Sequence, residues 1–256
     1  MIAHTGSRYP RYLLDVDPDL AAGLDPRMRI VARRAATVVT FVAEPGALDL
    51  ERWLAVTAGG PGLLVLSGAL VSFVRVLDRV VAEILGRRDL LRSPGDAAGE
   101  VSLDCDASWS TLHPTRFAIL DARFADQVRR WPQITHALLA RTERRIEQMA
   151  IQRAIAAQPR LEVRLLLLLW HLAARWGRIE PGGVRLPLPL THMLLGRLVT
   201  AERPSVTHAL KRLAVAGWVS GGEDGWHLRG TLQEHLAALG AGQEVRRLVP
   251  AAVGRN

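Results

Sequence analysis

Apolar residues recur at helical spacing in two short runs between positions 190 and 219. Leu194, Leu195 and Leu198 fall on one face of a helix predicted over residues 191–198. Thr191 stands at its N-cap, where a hydroxyl accepts from the orphan amides of the first turn. Val206, Ala209, Leu210 and Leu213 make the buried stripe of a second helix over residues 204–216. Pro204 sits in the first turn, where a missing N–H costs nothing, and Gly217 supplies a left-handed residue to close the helix. Residues 218–220 and 226–229 are short apolar strands around a glycine-rich turn at 221–225, which reads as a hairpin. A strand-like Leu-Pro-Leu-Pro-Leu run, 186–190, precedes the first helix. A helix pair alone would also suit a helical hairpin packed in a larger core with a solvated cationic face. The order strand, helix, turn, helix, hairpin is more specific and predicts a winged helix-turn-helix.

The outer face of the second helix carries Arg203, Ser205, Thr207, His208, Lys211 and Arg212. Small hydrogen-bonding residues lie toward its N-terminal end and cations lie further along. Short polar side chains let a helix enter the major groove, longer donors reach base edges, and flanking cations hold phosphates. Together with Thr191 these are the candidate DNA-binding residues.

Upstream the pattern changes three times. Residues 1–19 show no clear periodicity and are expected to form a partly ordered arm. From Asp25 to about Leu120 the texture is that of short strands with glycine turns, which suggests a sandwich or barrel. Strands are expected over 35–42, 63–66, 69–73, 80–85 and 117–120, and 48–56 suits either a helix or a strand. After Trp131-Pro132 a long helix runs over 133–157, with Ile134, Leu138, Ile146, Met149 and Ile155 in a loose helical period interrupted by Arg141 to Arg145. Gln158-Pro159 breaks it as the expected hinge between domains. A buried helix follows over 162–176, then a hairpin over 178–186. A short helix is expected over 231–239. In the tail, Arg246-Arg247 is either an extra phosphate contact or a solvated pair. The expected domains are a β region at 1–125, a long helix and hinge at 126–158, the winged helix-turn-helix at 159–235 and a tail at 236–256.

A formal net charge of +8 over 256 residues suits a nucleic-acid partner. Lys211 is the sole lysine and every other cation is arginine, so part of the basicity reflects a compositional bias. The single cysteine, Cys105, excludes an internal disulfide and a four-cysteine metal or iron–sulfur site within one chain; it is expected to be a buried or half-buried thiol. No apolar run approaches the ~20 residues of a membrane span, and the N-terminus lacks a signal pattern, so a cytoplasmic location is expected. The histidines do not fall at metal-ligand spacing. No HExxH, Walker loop or GxSxG elbow occurs. An enzyme is therefore not expected, nor a cofactor.

Residues 160–230 resemble the C-terminal DNA-binding domain of the Crp/Fnr family of bacterial transcription regulators. The matching residues are Leu190-Thr191, Leu198-Val199, Arg203, Ser205-Val206-Thr207, Leu210-Lys211-Arg212-Leu213 and Gly217-Trp218-Val219. The resemblance implies that Arg203, Pro204 and His208 occupy the positions facing base edges. Pro204 has neither donor nor acceptor in its side chain where many relatives carry an acid, so the family's usual half-site is not expected. Residues Leu64 to Gly68, Leu85-Gly86, Asp89-Leu90, Pro94-Gly95-Asp96 and Gly99-Glu100 more weakly resemble the family's β-roll. In cyclic-nucleotide binders of that fold, an arginine about ten residues beyond the Gly-Glu pair grips the cyclic phosphate. Here that place falls near Ser110 and Thr111, after Trp109, and Arg116 comes later. A buried phosphate without a guanidinium is costly to desolvate, so cyclic AMP is not expected to bind in the usual way.

The expected architecture is α+β: an N-terminal antiparallel β-roll, a long dimerisation helix and a C-terminal winged helix-turn-helix. The expected function is sequence-specific binding of double-stranded DNA by a homodimer that regulates transcription. The resemblance implies that the long helix pairs with its twofold mate, placing two recognition helices about one DNA turn (~34 Å) apart. It admits RNA polymerase as a further partner and leaves any small-molecule effector unidentified; no membrane partner is expected. A nucleic-acid-processing enzyme and a protein-interaction adaptor, each with a winged-helix module, are the alternatives.

Overall fold

The computed structural model describes residues 9–92, 105–222 and 225–241. The chain divides into two compact units, Met1–Met149 and Ala150–Asn256.

The first unit begins with more order than the sequence suggests. Strand β1 (Tyr9–Tyr12) pairs antiparallel with β2 (Thr37–Ala43), and between them lie α1 (Leu13–Val16), a 3-10 turn (Pro18–Ala21) and α2 (Pro26–Ala35). The expected loose arm is thus corrected. Leu13, Leu14 and Leu20 are buried, and Asp15, Asp17 and Asp19 each bond an arginine from a different element, Arg33, Arg141 and Arg88 respectively. Helix α2 also corrects the expected strand texture after Asp25. The Asp25 carboxylate caps it by accepting from the Arg27 amide at 2.8 Å, with Pro26 next in the first turn. Only Ala32 of this helix is buried; Ala35 packs on the core, and Met28, Ile30 and Val31 are exposed.

Two antiparallel sheets form the roll, one ordered β1-β2-β9-β4-β7 and the other β3-β8-β5-β6. Their remaining strands are β3 (Gly46–Leu48), β4 (Gly62–Ser67), β5 (Ala69–Val76), β6 (Arg79–Gly86), β7 (Leu90–Leu91), β8 (Asp106–Thr111) and β9 (Thr115–Leu120). The ambiguous 48–56 stretch is the end of β3 followed by α3 (Glu51–Val56). Between the sheets, Phe41 stacks on Trp53 at 3.8 Å and on Phe117 at 5.1 Å between ring centroids. On the other face of the five-stranded sheet, Leu64, Leu66, Ala118 and Leu120 pack with α1, with α4 (Ala122–Val128) and with the start of α5 (Pro132–Ala156). Burial on both faces explains the unbroken apolar run of β4. The polar strand β8, which gave no sequence signal, pairs with both β3 and β5. Cys105 is exposed, contrary to the expected buried thiol, because it lies one residue ahead of the exposed start of β8.

Helix α5 is turned unusually. Arg141 is only 5% exposed at its side chain and bonds Asp17 at 2.5 Å, and Arg145 makes a bidentate pair with Glu83 of β6 at 3.1 and 2.8 Å. Leu139 and Ile146, on the opposite side, are 55% and 62% exposed, and Met149 is exposed beside them. Arg141 and Arg145 thus face the protein, while Leu139, Ile146 and Met149 face out.

The second unit contains α6 (Leu161–Trp176), β10 (Arg178–Glu180), β11 (Gly183–Leu186), α7 (His192–Val199), α8 (Arg203–Val215), β12 (Val219–Gly222), β13 (Gly225–Arg229) and α9 (Leu232–Ala238). The two predicted hairpins merge into one sheet, ordered β10-β11-β13-β12, because β11 pairs with β13. The Leu-Pro-Leu-Pro-Leu run is a strand only at Leu186. Pro187 and Pro189 have no amide to give a ladder, and Leu188 and Leu190 instead bond back to the carbonyls of Leu186 and Leu188. Among the described residues no helix is long and apolar enough to cross a membrane.

Candidate nucleic-acid interface

Local chemistry sets the helix pair. The Thr191 hydroxyl accepts from the Leu194 amide at 3.2 Å and starts α7. Leu194, Leu195, Leu198 and Val199 are buried beneath it. The helix ends at Thr200, which is left-handed (φ 55°), and the Ala201 amide returns to the Gly196 carbonyl at 2.8 Å. A Cβ at Gly196 would lie 2.5 Å from the Ala201 oxygen, so only glycine lets the turn close this tightly. Helix α8 begins at Arg203 with Pro204 in its first turn and buries Val206, Ala209, Leu210 and Leu213. It closes as expected at Gly217 (φ 76°), with the Trp218 amide bonding the Leu213 carbonyl at 3.1 Å.

Arg203, Ser205, Thr207, His208, Lys211 and Arg212 are all exposed on α8, and Thr191 is exposed at the start of α7. Thr191, Thr207 and Lys211 come together around an open concavity of about 520 Å³, whose far side is the β12–β13 hairpin at Gly221, Gly222 and Trp226. Arg203, Ser205 and His208 lie on the exposed helix outside that concavity.

Two of these residues have internal partners that the sequence did not reveal. Thr207 Oγ1 donates to the Arg203 carbonyl at 3.1 Å and lies 2.9 Å from His192 Nδ1, which bridges the two helices. Arg212 Nε donates to Glu162 of α6 at 2.6 Å. Burial pushes the Glu162 carboxyl up. Hydrogen bonds from its own backbone amide and from Arg212 outweigh that and leave it below the usual carboxylate range. The indole of Trp226 donates to the Leu190 carbonyl at 3.2 Å and so fixes the hairpin to the start of α7. His192 and the wing glycines belong to this surface but were not singled out. A histidine one position inside a helix is a signal only when its neighbour fifteen residues on is known.

Residues 163–237 match the family described as a Crp-like helix-turn-helix domain. Over 144 residues the chain is 31% identical to the CRP-like cAMP-activated global transcriptional regulator of Mycobacterium tuberculosis, covering 52% of this chain. Over these residues the chain is similar to Crp-type regulators. The matched part spans 63% of the mycobacterial relative's length.

Solved structures share the fold. A cyclic nucleotide-binding domain containing protein from Listeria monocytogenes aligns with a TM-score of 0.60 at 12% identity, over 75% of this chain and 89% of that one. The c-di-GMP responsive global regulator of Xanthomonas campestris aligns at 0.54 and 19% identity, over 78% and 98%. A Crp/Fnr-family protein from Eubacterium rectale aligns at 0.55 and 15% identity, over 88% and 98%. The fold of these structures, an N-terminal β-roll and a C-terminal helix-turn-helix, is thus present here.

In the roll, the place expected for a phosphate-gripping arginine is Ser110 and Thr111 on β8. Thr111 is buried, and its hydroxyl donates to the Glu44 carbonyl at 2.5 Å, with the Gly46 carbonyl at 3.2 Å. Trp109 packs against the core between the sheets, and Arg116 is exposed on β9 opposite Val42. Residues 94–96, Gly99 and Glu100 lie outside the described residues.

Proposed function

We propose that this chain is a sequence-specific DNA-binding transcription regulator that acts as a homodimer on an inverted repeat. The observation that carries the reading is the exposed row on α8, flanked by the start of α7 and by the β12–β13 hairpin. Arg203 and His208, helped by Ser205, read base edges; Lys211 and Thr191 hold phosphates. Thr207 acts through its bond to His192, which lines the same concavity. Arg212 meets DNA only in competition with Glu162.

The second copy covers the outward apolar stripe of α5, Leu139, Ile146 and Met149. A helix with buried arginines and exposed leucine and isoleucine is half of an interface, and a twofold axis along it sets the spacing of the two recognition helices. RNA polymerase and the cytoplasm are the partner and location that suit such a regulator.

The mycobacterial relative is named as cAMP-activated. In this chain Thr111 is already bonded to backbone carbonyls, and the only arginine described beyond it on the next strand, Arg116, is exposed. Cyclic AMP is therefore not its effector in the usual manner, and micromolar binding by calorimetry would overturn that.

The deciding experiment is selection from a random duplex library at near-physiological salt, followed by sequencing. An inverted repeat with half-sites about one turn apart (~34 Å) is expected. On that duplex, Arg203→Ala should lose ~1–3 kcal/mol at one base pair, while Lys211→Ala should weaken all sequences alike. Binding that enriches no motif and vanishes with added salt would leave only charge-driven contact and refute the regulator.

A further inference from the structure

The last turn of an α-helix leaves carbonyls without intrahelical donors. In α7 the Gly196 carbonyl is taken by the amides of Thr200 and Ala201. The carbonyls of Leu198 and Val199 receive side chains from two other helices. Gln152, in the last turns of α5, donates its amide to Leu198 at 3.3 Å. Arg164, in the first turn of α6, donates Nη1 to Val199 at 3.4 Å, and its Nε donates to the carbonyl of Gln158. Residue 158 lies in the connection between α5 and α6. Three residues beyond Thr200, the recognition helix begins.

These contacts form a short mechanical chain within the second unit. The end of α5 and its connection to α6 hold two adjacent carbonyls, and those carbonyls lead into the turn that aims α8. Thr200 is a non-glycine residue in the left-handed region, a conformation that persists only where surrounding contacts hold it. Gln152 also lies on the polar stripe of α5 that carries Arg141 and Arg145, at positions i, i+4 and i+11.

We infer that Gln152 and Arg164 are positioning residues for DNA reading: through the carbonyls of Leu198 and Val199 they make the aim of the recognition helix depend on the last turns of α5. The inference rests on the DNA-binding reading. It goes beyond that reading by naming two side chains, on other helices than α8, on which selective binding depends.

The test uses the full chain and the duplex enriched by selection, with a mixed-sequence duplex beside it. Gln152→Met and Arg164→Met keep side-chain length and remove the donors. Each should weaken the enriched duplex ~3- to 10-fold, the size of one or two ordinary hydrogen bonds, and leave the mixed duplex unchanged. Arg164→Lys, which keeps one donor, should fall between wild type and Arg164→Met. Amide exchange at Ala201 in the free protein should accelerate in both Met variants. Equal losses on both duplexes would show general destabilisation and overturn the inference, as would wild-type affinity in both variants. If the wild-type chain enriches no duplex, the DNA reading itself has failed. Exchange at Ala201 then decides the mechanical link alone, and unchanged exchange refutes it.

Discussion

Removing the head of Arg141 should strongly destabilise the first unit. Asp17 is 2% exposed; its Oδ2 accepts from Arg141 Nη1 at 2.5 Å, and its Oδ1 has no hydrogen-bond partner among the described residues. Arg141→Met keeps most of the stem packing but leaves a buried carboxylate with no donor. Breaking one side of such a pair costs about 3–5 kcal/mol, because the remaining charge stays desolvated. At roughly 2–4 °C per kcal/mol for a chain of this size, the melting temperature should fall by about 6–20 °C. The control is Asp17→Asn with Arg141→Met, which removes the stranded charge and should recover at least half of the loss. Thermal melts followed by circular dichroism and calorimetry measure both. A loss below ~1 kcal/mol, or a double variant no more stable than Arg141→Met, would refute the account of Asp17 as a desolvated anion dependent on one partner.

Three further outcomes are expected. Gly196→Ala should destabilise by about 1–3 kcal/mol and abolish selective duplex binding, because its Cβ meets the Ala201 oxygen at 2.5 Å; Gly222→Ala, with nothing within 4 Å, should be silent in a melt. Burial holds the His235 imidazole below its ordinary 6.5, only partly offset by the Arg229 carbonyl and Glu234, and burial followed by the charge of Arg175 does the same for His171. The unfolded chain therefore takes up these protons more readily. Stability should be full above pH 6.5 and fall as the pH drops below it, with a shallower fall in His235→Gln; melts that weaken from pH 6.5 to 8 would contradict this. Ile146→Glu places a charge in the outward stripe of α5 and should turn a dimer into a monomer in sedimentation experiments, with little change in the monomer's own helix content.

The helix-turn-helix was legible because its signals are local. Thr191, Pro204 and Gly217 act within a few residues of themselves, and the stripes of α7 and α8 face one core. The rest depended on distant partners. Asp17 finds Arg141 and Arg212 finds Glu162 only once the chain is folded, so the first pair looked like a loose arm beside an interrupted helix and the second like a free cation. Helix α2 was missed although Asp25 and Pro26 mark its start; its Met28, Ile30 and Val31 are exposed, so its apolar residues do not mark a core. Strand β8 was hidden because its polar residues are held by flanking strands rather than by a buried face. Periodicity along α5 announced an apolar stripe without saying that Ile146 and Met149 in it are exposed while Ile134, Leu138 and Ile155 are buried.

That reversal of α5 bears on abundance. If a second copy covers Leu139, Ile146 and Met149, the species that reads DNA exists only as fast as two chains meet. At chain concentrations below the dissociation constant of the pair, the population of competent protein rises with the square of the amount made, by mass action. A twofold change in synthesis would then be felt at the operator as a fourfold one. The cell would gain a threshold in gene dosage from the orientation of a single helix, before any small molecule is bound.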